Sequence, residues 1–298
     1  MNRLGVVGWN KNVFRSSVAR LGLAFCNENR VHTLVMNRNT SYAPTVQEVR
    51  AFWNETPCGT YGKDLPEGTP EYFAAIEAER YAMEPEIPRY AQFSRWRGKR
   101  VLEVGFGAGS DLMRFARAGA DVTGVDLGYK GATLARQRIA LEQVSAEILV
   151  SNAEHLPFAD HSFDLVYSWG VIHHSPDTPA TVREIHRVLK PGGQITIMIY
   201  HTLSWVVFKI LLKHGIMRGE LLNRSWGEVF SRHSEYAPDN PLTRSYTVAQ
   251  ARQLFRRFQD VRVHVVPTFH DESGLPWAPS LGGRVGWFLV VRGRKVDL

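Results

Sequence analysis

The sequence predicts an α/β domain built around a doubly wound, mostly parallel sheet. Between residues 99 and 200, short apolar segments alternate with helical segments, in the rhythm that right-handed βαβ units produce. The first apolar segment runs into the pattern E-x-G-x-G-x-G, from Glu103 to Gly109, and the second ends in Asp126. Glycines after one strand and a carboxylate at the end of the next are typical of the ligand-binding edge of doubly wound domains.

Five strands and three helices follow one another in this central region. Each predicted strand is a short apolar run, and each predicted helix lies between two such runs. The motif Lys190–Gly193 combines proline with two glycines, so it ends the third helix and turns the chain into the fifth strand. The predicted strands are Arg100–Gly105, Asp121–Asp126, Ala146–Val150, Phe163–Ser168 and Gln194–Tyr200, and the predicted helices are Ser110–Ala118, Gly131–Val144 and Thr178–Leu189.

Three further segments surround the core, residues 99–200. Residues 46–98 are helical, rich in aromatic residues and broken by Pro and Gly clusters, and we expect a lid beside a ligand cleft. Residues 201–246 form an insertion that we expect to cap this cleft. Residues 247–298 complete a seven-stranded sheet, and because no long crossover separates their two strands, we expect an antiparallel hairpin. These last elements are the helix Val248–Phe258 and the strands Val261–Pro267 and Val285–Arg292.

The composition is that of an ordinary globular protein. Of its 298 residues, 44% are hydrophobic and 22% are charged, so one large domain with additions can bury a full core. The two cysteines, Cys26 and Cys58, provide neither a disulfide framework nor the spacing of metal ligands. We therefore expect a cytoplasmic protein without a metal site.

The formal charge of +7 is concentrated near the N-terminus. The first 47 residues carry six basic side chains against Glu28 alone, whereas the other 251 residues carry 30 basic and 28 acidic side chains. The nearly neutral body argues against nucleic acid as a partner. We expect residues 1–45 to be a basic leader, either poorly folded or preceding a true start at Met36. Its basic residues interrupt any signal peptide or membrane span.

The spacing of the loop glycines distinguishes between two adenosine-containing cofactors. A nicotinamide site uses G-x-G-x-x-G, but here the third glycine, Gly109, comes one position early and Ser110 stands in its place. The loop therefore specifies no phosphate pocket. This favours S-adenosylmethionine, which has no phosphate to hold.

Five motifs in order make the chain resemble the class I S-adenosylmethionine-dependent methyltransferases, in the small-molecule branch (type 11) that contains the ubiquinone and menaquinone C-methylases. The resemblance is strong over about residues 99–200. It implies a Rossmann-like fold, S-adenosyl-L-methionine as cofactor, and in-line methyl transfer to a small-molecule or lipid-like acceptor. The motifs are Val101–Gly109, Gly124–Asp126, Asn152–Phe158, Phe163–Trp169 and Val188–Gly193.

The resemblance also implies which residues hold the cofactor. The glycines would let the backbone approach the methionine and ribose parts, and Asp126 would accept hydrogen bonds from the ribose hydroxyls. The Asn152 carbonyl would accept a hydrogen bond from the adenine amino group. Glu103 either contacts the amino end of the cofactor through water or anchors the loop. The expected cofactor-binding residues are Glu103, Gly105, Gly107, Gly109, Asp126, Leu127, Asn152, Ala153 and Ser168.

Four residues after the fourth and fifth strands are candidates for contact with the acceptor, because ligands sit at the carboxyl ends of parallel strands. A base is needed only if the acceptor must lose a proton, as a phenol or an activated carbon does. His173 and His174 are either that base, which an unperturbed pKa of about 6.5 would suit, or packing and capping residues. Tyr200 and His201 either line the acceptor pocket or serve the fold.

Two segments outside the core have two interpretations each. In the lid, Arg80 and Tyr81 either grip the cofactor carboxylate and cover the cleft or only pack a helix on the sheet. In the cap, Leu203–Leu212 is the most apolar helix of the chain, but Lys209 and Lys213 interrupt it and it is too short to cross a bilayer. It either covers the acceptor pocket with its aromatic residues or makes a peripheral membrane contact, with its lysines toward anionic headgroups.

Absent motifs narrow the substrate, and two other functions stay open. Ser168–Gly170 stands where enzymes that methylate nucleobase or glutamine amino groups carry Asn/Asp-Pro-Pro-Tyr, and the strand ends lack the aspartate cluster of magnesium-dependent catechol methylases. The open alternatives are a nicotinamide-dependent oxidoreductase, disfavoured by Ser110 and by Leu156–Phe158, and a non-catalytic S-adenosylmethionine-binding protein. The sequence does not indicate an oligomeric state.

Overall fold

The structure is a computed structural model that describes residues 44–55, 57, 58, 60, 64–235, 239–268 and 284–296. Almost all of the expected leader, residues 1–45, lies outside these ranges. Parts of the expected lid, of the cap and of the loop before the last strand do so as well. Within the described ranges, every helix is too short or too polar to cross a membrane.

An eight-stranded sheet lies at the centre of the described chain. Alternate side chains of its inner strands supply two apolar cores, one on each face. Val101 and Leu165 pack into one core, whereas their neighbours Leu102 and Val166 pack into the other. The strands are β1 (Arg100–Val104), β2 (Asp121–Asp126), β3 (Glu147–Val150), β4 (Phe163–Trp169), β5 (Leu189–His201), β6 (Ser245–Tyr246), β7 (Gln259–Val266) and β8 (Phe288–Arg294).

The strand order confirms the predicted fold class. The strands lie in the order β3-β2-β1-β4-β5-β8-β7, and β6 pairs with β5 beside this path. β1 to β5 are parallel, and β8 is antiparallel to both β5 and β7, which gives the predicted terminal hairpin. The eighth strand, β6, is an addition to the predicted seven, because two residues are too few to show a periodic pattern. The order reverses between β1 and β4, and doubly wound sheets bind ligands at such a switch point.

Capping residues mark where several of the helices begin. Thr69 accepts a hydrogen bond from the Tyr72 backbone N–H at the start of α2, and Ser225 forms a capping box with Glu228 at the start of α8. The helices are α1 (Val46–Glu55), α2 (Pro70–Met83), α3 (Ile87–Ala91), α4 (Ser110–Arg117), α5 (Tyr129–Glu142), α6 (Thr178–Val188), α7 (Trp205–Ile210), α8 (Trp226–His233) and α9 (Val248–Leu254).

The Lys190–Gly193 motif differs from its prediction as a turn before the fifth strand. The helix α6 does end at Val188, but β5 begins directly at Leu189 and contains the motif. The register between β4 and β5 shifts at this point, so the proline and glycines form an irregular part of the strand. The backbone N–H of Gly192 donates to the carbonyl of Lys295, whose own N–H donates to Gly193. This pairing comes from the C-terminal segment, which the local sequence does not reveal.

The expected lid and cap share one face of the sheet. Ile87 and Tyr90, which follow α2, belong to the same apolar core as Val207 of α7 and Phe230 of α8. A smaller cluster joins Phe73 of α2 to the loop after β1 and to α5. Both additions therefore flank the carboxyl ends of β1 and β4, where the ligand cleft was predicted.

Candidate functional site

A cleft opens at the carboxyl ends of β1, β2 and β4. It contains about 1190 Å³ of empty space, including open solvent at its mouth, which is ample for a nucleoside-sized ligand and part of a second molecule. Its walls come from the loop after β1, the ends of β2 and β3, the segment after β4, and the lid. Eight of the sequence-predicted site residues line it: Glu103, Gly105, Gly107, Asp126, Leu127, Asn152, Ala153 and His174.

The glycine loop needs its glycines for two different reasons. Gly105, Gly107 and Gly109 all have positive φ, at 80°, 52° and 82°, which L side chains rarely adopt. At Gly105 a Cβ atom would also lie 2.2 Å from Val171 Cγ2, so there is no space for a side chain at this position. At Gly107 the nearest atom to such a Cβ would be the Cys58 carbonyl oxygen at 3.6 Å, and Gly107 faces the cleft. The loop thus presents bare backbone to a ligand.

Asp126 at the end of β2 fixes the shape of this loop. Its Oδ2 accepts a hydrogen bond of 2.9 Å from the Gly107 N–H, and its Oδ1 accepts one of 2.8 Å from the Gly128 N–H. Burial raises the pKa of Asp126, and backbone N–H groups oppose that rise. Each carboxylate oxygen can accept a further hydrogen bond, and the side chain reaches the cleft. Asp126 is therefore placed to receive hydroxyl donors from a ligand.

Glu103 is a buried carboxylate at the floor of the cleft. It is 3% exposed, and its Oε2 has no hydrogen-bond partner among the described residues. Burial, together with the nearby carboxylate of Asp111, raises its pKa well above the usual range, while the Arg80 guanidinium opposes the rise. Buried polar atoms are nearly always paired with protein, water or ligand, so this oxygen can accept a hydrogen bond from a group that enters the cleft. A ligand ammonium group fits this requirement. Together with residues 105–109 and Asp126, Glu103 forms what we term the glycine-loop side of the cleft.

Asp111 organises a polar network that sequence reasoning missed. Its Oδ1 accepts from Arg80 Nε at 3.1 Å and from the Tyr81 hydroxyl at 2.7 Å, while its Oδ2 accepts from Arg80 at 2.6 Å and from the Tyr167 hydroxyl at 2.8 Å. Burial alone would raise its pKa, but the Arg80 guanidinium and these hydrogen bonds lower it. This network fastens the lid helix α2 to α4. Arg80 lines the cleft while its charge is paired with Asp111.

The remaining predicted cofactor residues differ in position. Asn152 lines the cleft, but its Oδ1 already accepts a hydrogen bond of 3.0 Å from the Glu154 N–H, so one lone pair is left for a ligand. Ser168 is fully buried, and its hydroxyl donates to the Val104 carbonyl at 2.8 Å, joining β4 to β1. It does not line the cleft, whereas the next residue, Trp169, does. Gly109 also lies behind the wall, at the N-cap of α4.

The two predicted histidines occupy different environments. His173 is fully buried outside the cleft lining, with its ring centroid 4.1 Å from that of Tyr200. Burial and the neighbouring His174 lower its pKa well below 6.5. His174 lines the cleft, and its Nδ1 lies 2.8 Å from the Leu242 carbonyl oxygen, which assigns the proton to Nδ1. Burial lowers the pKa of His174 to about 4, so at neutral pH its Nε2 carries a free lone pair.

Tyr200 and His201 lie behind the wall of the cleft. The Tyr200 hydroxyl donates to Glu235 Oε1 at 2.9 Å, and its ring stacks on Trp287 at 4.1 Å between centroids. His201 is 2% exposed, and its Nδ1 lies 3.0 Å from the Gly286 carbonyl oxygen. These contacts indicate that both side chains help to hold β5 against β8. Neither residue is among the described residues that line the cleft.

Two partly buried glutamates, one in the lid and one in the cap, had no sequence signal. Glu235 of the cap lies 3.6 Å from His174 Nε2, and burial, reinforced by the charge of Glu84, raises its pKa to about 8. Glu84 of the lid accepts a hydrogen bond of 2.6 Å from Trp169 Nε1, and burial raises its pKa too. Neither belongs to a motif, and they lie 151 positions apart, so only folding brings them together. We term His174, which lines the cleft, and three residues that do not line it, Tyr200, Glu84 and Glu235, the histidine side of the cleft.

Two groups of donor atoms within the described residues have the proximity that a metal ion requires. His173, His174 and Glu235 form one group beside the cleft, and a second group lies in the cap. In each group the donor atoms lie within 4.8 Å of one another. The second group consists of His214, Glu220 and His233.

The comparison with protein families identifies one domain in the chain. A model described as a methyltransferase domain matches residues 102–197, the segment from β1 to the middle of β5. This segment contains the glycine loop, Asp126, Asn152 and both histidines.

Relatives and solved structures agree with this match. The chain is 30% identical over 150 residues to the ubiquinone/menaquinone biosynthesis C-methyltransferase UbiE of Geotalea daltonii, covering 48% of this chain and 63% of that protein. It is 39% identical over 100 residues to the phthiotriol/phenolphthiotriol dimycocerosates methyltransferase of Mycobacterium leprae, covering 33% of this chain and 36% of that protein. The chain thus spans less than two thirds of either relative. A crystal structure of an S-adenosylmethionine-dependent methyltransferase from Methanosarcina mazei shares the fold, with a TM-score of 0.52 and 22% sequence identity. The match covers 72% of this chain and 98% of that one.

Proposed function

Because the chain belongs to the class I S-adenosylmethionine-dependent methyltransferases, we propose that it transfers a methyl group from that cofactor to a small-molecule or lipid-like acceptor. The observation that carries the proposal is the buried Glu103 carboxyl group beside a loop of bare backbone, because its Oε2 has no hydrogen-bond partner among the described residues. A positively charged ammonium, such as that of the cofactor's methionine part, would favour the ionised form of this carboxyl group and donate to it. The nicotinamide and non-catalytic alternatives lack a comparable supporting observation.

The residues of the glycine-loop side fit the cofactor part by part. Asp126 would accept hydrogen bonds from the ribose hydroxyls, with Leu127 next to the adenine. Asn152 and Ala153 would contact the adenine edge, and Glu103 would accept from the ammonium. When bound, the cofactor supplies a methyl group on a positively charged sulfur, which leaves by in-line displacement. Positive charge is dispersed during this displacement, so the protein contributes mainly alignment and exclusion of water.

The lid network is the part of the chain that would provide this alignment. Asp111 holds Arg80 and Tyr81 of α2 against α4, so the lid closes one wall of the cleft through buried, charge-assisted hydrogen bonds. Trp53 of α1 continues this wall and packs against the His174 ring at 4.9 Å between centroids. A methyl acceptor would therefore enter between the lid and the histidine side.

On the histidine side, we assign His174 the contact with the acceptor. Its Nε2 can accept a hydrogen bond from an acceptor hydroxyl, whereas its pKa of about 4 makes it a weak base at neutral pH. Glu235 lies 3.6 Å from His174 Nε2 and has a pKa of about 8, so it is mostly protonated at neutral pH, but its ionised form is a stronger base than His174. If the acceptor loses a proton, His174 would orient it and Glu235 would receive the proton. His173, Tyr200 and His201 would support these two residues from behind.

The finer features of the acceptor and the location are also proposals. The names of the two relatives refer to quinones and to dimycocerosate lipids, which supports a lipid-like acceptor among the small-molecule candidates. Such an acceptor would be reached from a bilayer surface, through peripheral contact of residues 203–212. We retain a cytoplasmic location and no nucleic-acid partner.

Calorimetric titration with S-adenosylmethionine and with NADH tests the choice of cofactor. Binding of the first, with no binding of the second, is expected, and the reverse result would overturn the proposal. Release of S-adenosylhomocysteine upon addition of quinol and lipid extracts then tests catalysis. Cofactor binding without any release across such extracts would favour the non-catalytic alternative.

A further inference from the structure

The cap carries most of the exposed large hydrophobic side chains of the described residues. Eight of the eleven lie between residues 203 and 226, and the other three are scattered at Leu65, Tyr129 and Leu141. Met217 is 76% exposed and Leu222 is 83% exposed. Such clustering marks an interaction site, whereas isolated exposed leucines are ordinary. The eight residues, which we term the cap surface, are Leu203, Phe208, Leu212, Ile216, Met217, Leu221, Leu222 and Trp226.

The local geometry places several of these side chains on one side of the cap. Val207 of α7 is buried in the core, while the adjacent Phe208 is half exposed. After α7 the chain continues as a π-helix, Leu211–Met217, in which hydrogen bonds join residues five apart. Positions four or five apart therefore share a side, which aligns Leu212 with Ile216 and Met217.

A second short helix extends this side. The 3₁₀ turn Glu220–Leu222 packs back on the π-helix, because a Cβ on Gly215 would lie only 2.8 Å from the Leu221 side chain. This contact brings Leu221 and Leu222 next to the π-helix. The cap is consequently apolar on its inner face, where it packs on the core, and on its outer face as well. A helix that is apolar all round is normally covered by protein or by lipid.

The charges around the cap surface identify what covers it. Residues 203–226 contain four basic side chains against Glu220 alone, although residues 48–298 as a whole are nearly neutral. Lys213 and Arg218 are exposed beside Leu212 and Met217. Basic residues that surround exposed apolar side chains complement a layer of anionic headgroups over hydrocarbon. A second copy of the same surface would face it with like charge, which opposes self-association.

We propose that the cap surface docks on a bilayer containing anionic lipid, with its apolar side chains in the interfacial layer and its basic side chains on the headgroups. The proposed reaction chemistry is not needed for this inference. The structure also relocates the contact from the sequence-predicted segment 203–212, since the most exposed members, Met217 and Leu222, lie beyond it. In α7 the side chain of Trp205 is only partly exposed, so it is a poor reporter of the contact.

Co-sedimentation of the full chain with vesicles tests the proposal. Phosphatidylcholine vesicles are compared with vesicles that also contain phosphatidylglycerol, in the absence of S-adenosylmethionine. The apolar arm uses Met217→Gln/Leu222→Gln, with Leu65→Gln/Leu141→Gln as the matched control on exposed leucines elsewhere. The charge arm uses Lys213→Gln/Arg218→Gln, with the exposed Arg97→Gln/Arg252→Gln as its control. The basic leader is identical in every variant, so differences between variants report the cap.

Strong binding to the anionic vesicles alone is expected for the wild-type protein. The apolar variant should lose about tenfold in affinity. The charge variant should lose about twenty-fivefold, since each of its two basic residues near such a surface contributes about fivefold. Both controls should bind as the wild type does. Equal binding of the cap variants and the wild type would overturn the proposal. So would self-association in sedimentation velocity that the Met217→Gln/Leu222→Gln substitutions abolish, because it would assign the surface to a second copy.

Discussion

The two sides of the cleft are built in different ways. The glycine-loop side comes from one continuous stretch, Glu103–Gly109, and from Asp126 on the neighbouring strand, whose carboxylate accepts a hydrogen bond from the Gly107 backbone N–H. The histidine side collects Glu84 from the lid, His174 from the core and Glu235 from the cap, and the contacts of Glu235 with His174 and Tyr200 are made between side chains. One side is therefore fixed by the sheet, and the other by how three segments pack.

This difference explains what each side can do. Backbone donors held by a parallel sheet cannot change with single substitutions, so the glycine-loop side suits a ligand common to many enzymes. Side chains from separate segments can each be exchanged, so the histidine side suits an acceptor particular to this chain. The following predictions test this separation, since substitutions on one side should leave the ligand of the other side unaffected.

The largest effect is expected at the network that joins the lid to the core. Asp111→Asn leaves Arg80 facing a neutral amide, and breaking a buried charged pair in this way costs about 3–5 kcal/mol of unfolding free energy. Urea unfolding measures the loss. Asp121→Asn is the control, because its pair with Arg100 is exposed and should change stability by less than about 1 kcal/mol. Equal effects for the two variants would show that the lid network does not stabilise the fold.

Gly105→Ala should have the next largest effect, again on the stability of the fold. The substitution combines a left-handed backbone, which costs about 1–2 kcal/mol, with a Cβ pressed against Val171, which costs about 1–3 kcal/mol. Gly98→Ala is the control, since Gly98 has a φ of 67° but no atom within 4 Å of the added Cβ. Thermal unfolding should show a clear loss for Gly105→Ala and a smaller one for Gly98→Ala. A loss of the same size in both would mean that close packing at the loop is not required.

Glu103→Gln should weaken cofactor binding and stabilise the fold. A lost hydrogen bond to a charged group costs about 1.5–3 kcal/mol, which predicts a Kd for S-adenosylmethionine at least about tenfold higher by calorimetry. The folded-state pKa of Glu103 is raised, so its stabilising contribution exists only at acidic pH and is lost as the pH rises. At neutral pH the buried carboxyl group therefore opposes folding, and the amide should raise the Tm.

The matched control for Glu103 is Glu147→Gln, at the exposed start of β3 in the same sheet. It should change neither the Kd nor the Tm. Unchanged cofactor affinity in Glu103→Gln would assign Glu103 to anchoring the loop instead of contacting the ligand.

The smallest effect is expected at Glu235, and it depends on pH. Burial raises its pKa from 4.5 to about 8 on folding, so its contribution to stability is complete below about pH 4.5 and declines as the pH rises toward 8. His174 changes in the opposite sense, at lower pH, because its pKa falls to about 4. As the pH rises from about 6.5 to 8, the unfolding free energy of the wild-type protein should therefore fall by about 1–2 kcal/mol through this group. Glu235→Gln should not show this fall.

Urea unfolding at both pH values measures this difference, and the Kd for S-adenosylmethionine should be the same in Glu235→Gln and wild type. Parallel pH profiles would mean that Glu235 is not protonated in the folded protein. A changed cofactor affinity would break the separation between the two sides of the cleft.

The parts of the site that sequence could predict are those whose residues are neighbours along the chain. The loop glycines, Asp126 and the positions of the main strands were accessible because glycine spacing and apolar periodicity are local signals. His174 was found for the same reason, one position after His173, yet only the structure shows that the two have different surroundings. Asp111 was missed because an acidic residue in the first turn of a helix has an ordinary explanation as a dipole partner.

The sequence by itself determined the fold class, the cofactor class and the edge of the sheet at which the cleft lies. Periodicity and glycine spacing encode these directly, since they act within one or two elements of secondary structure. Only the tertiary structure decided that Ser168 serves the sheet, that Glu235 lies beside His174, and that the cap surface extends to Leu222. Those facts depend on which distant segments pack together, and burial, pairing and pKa follow from that packing.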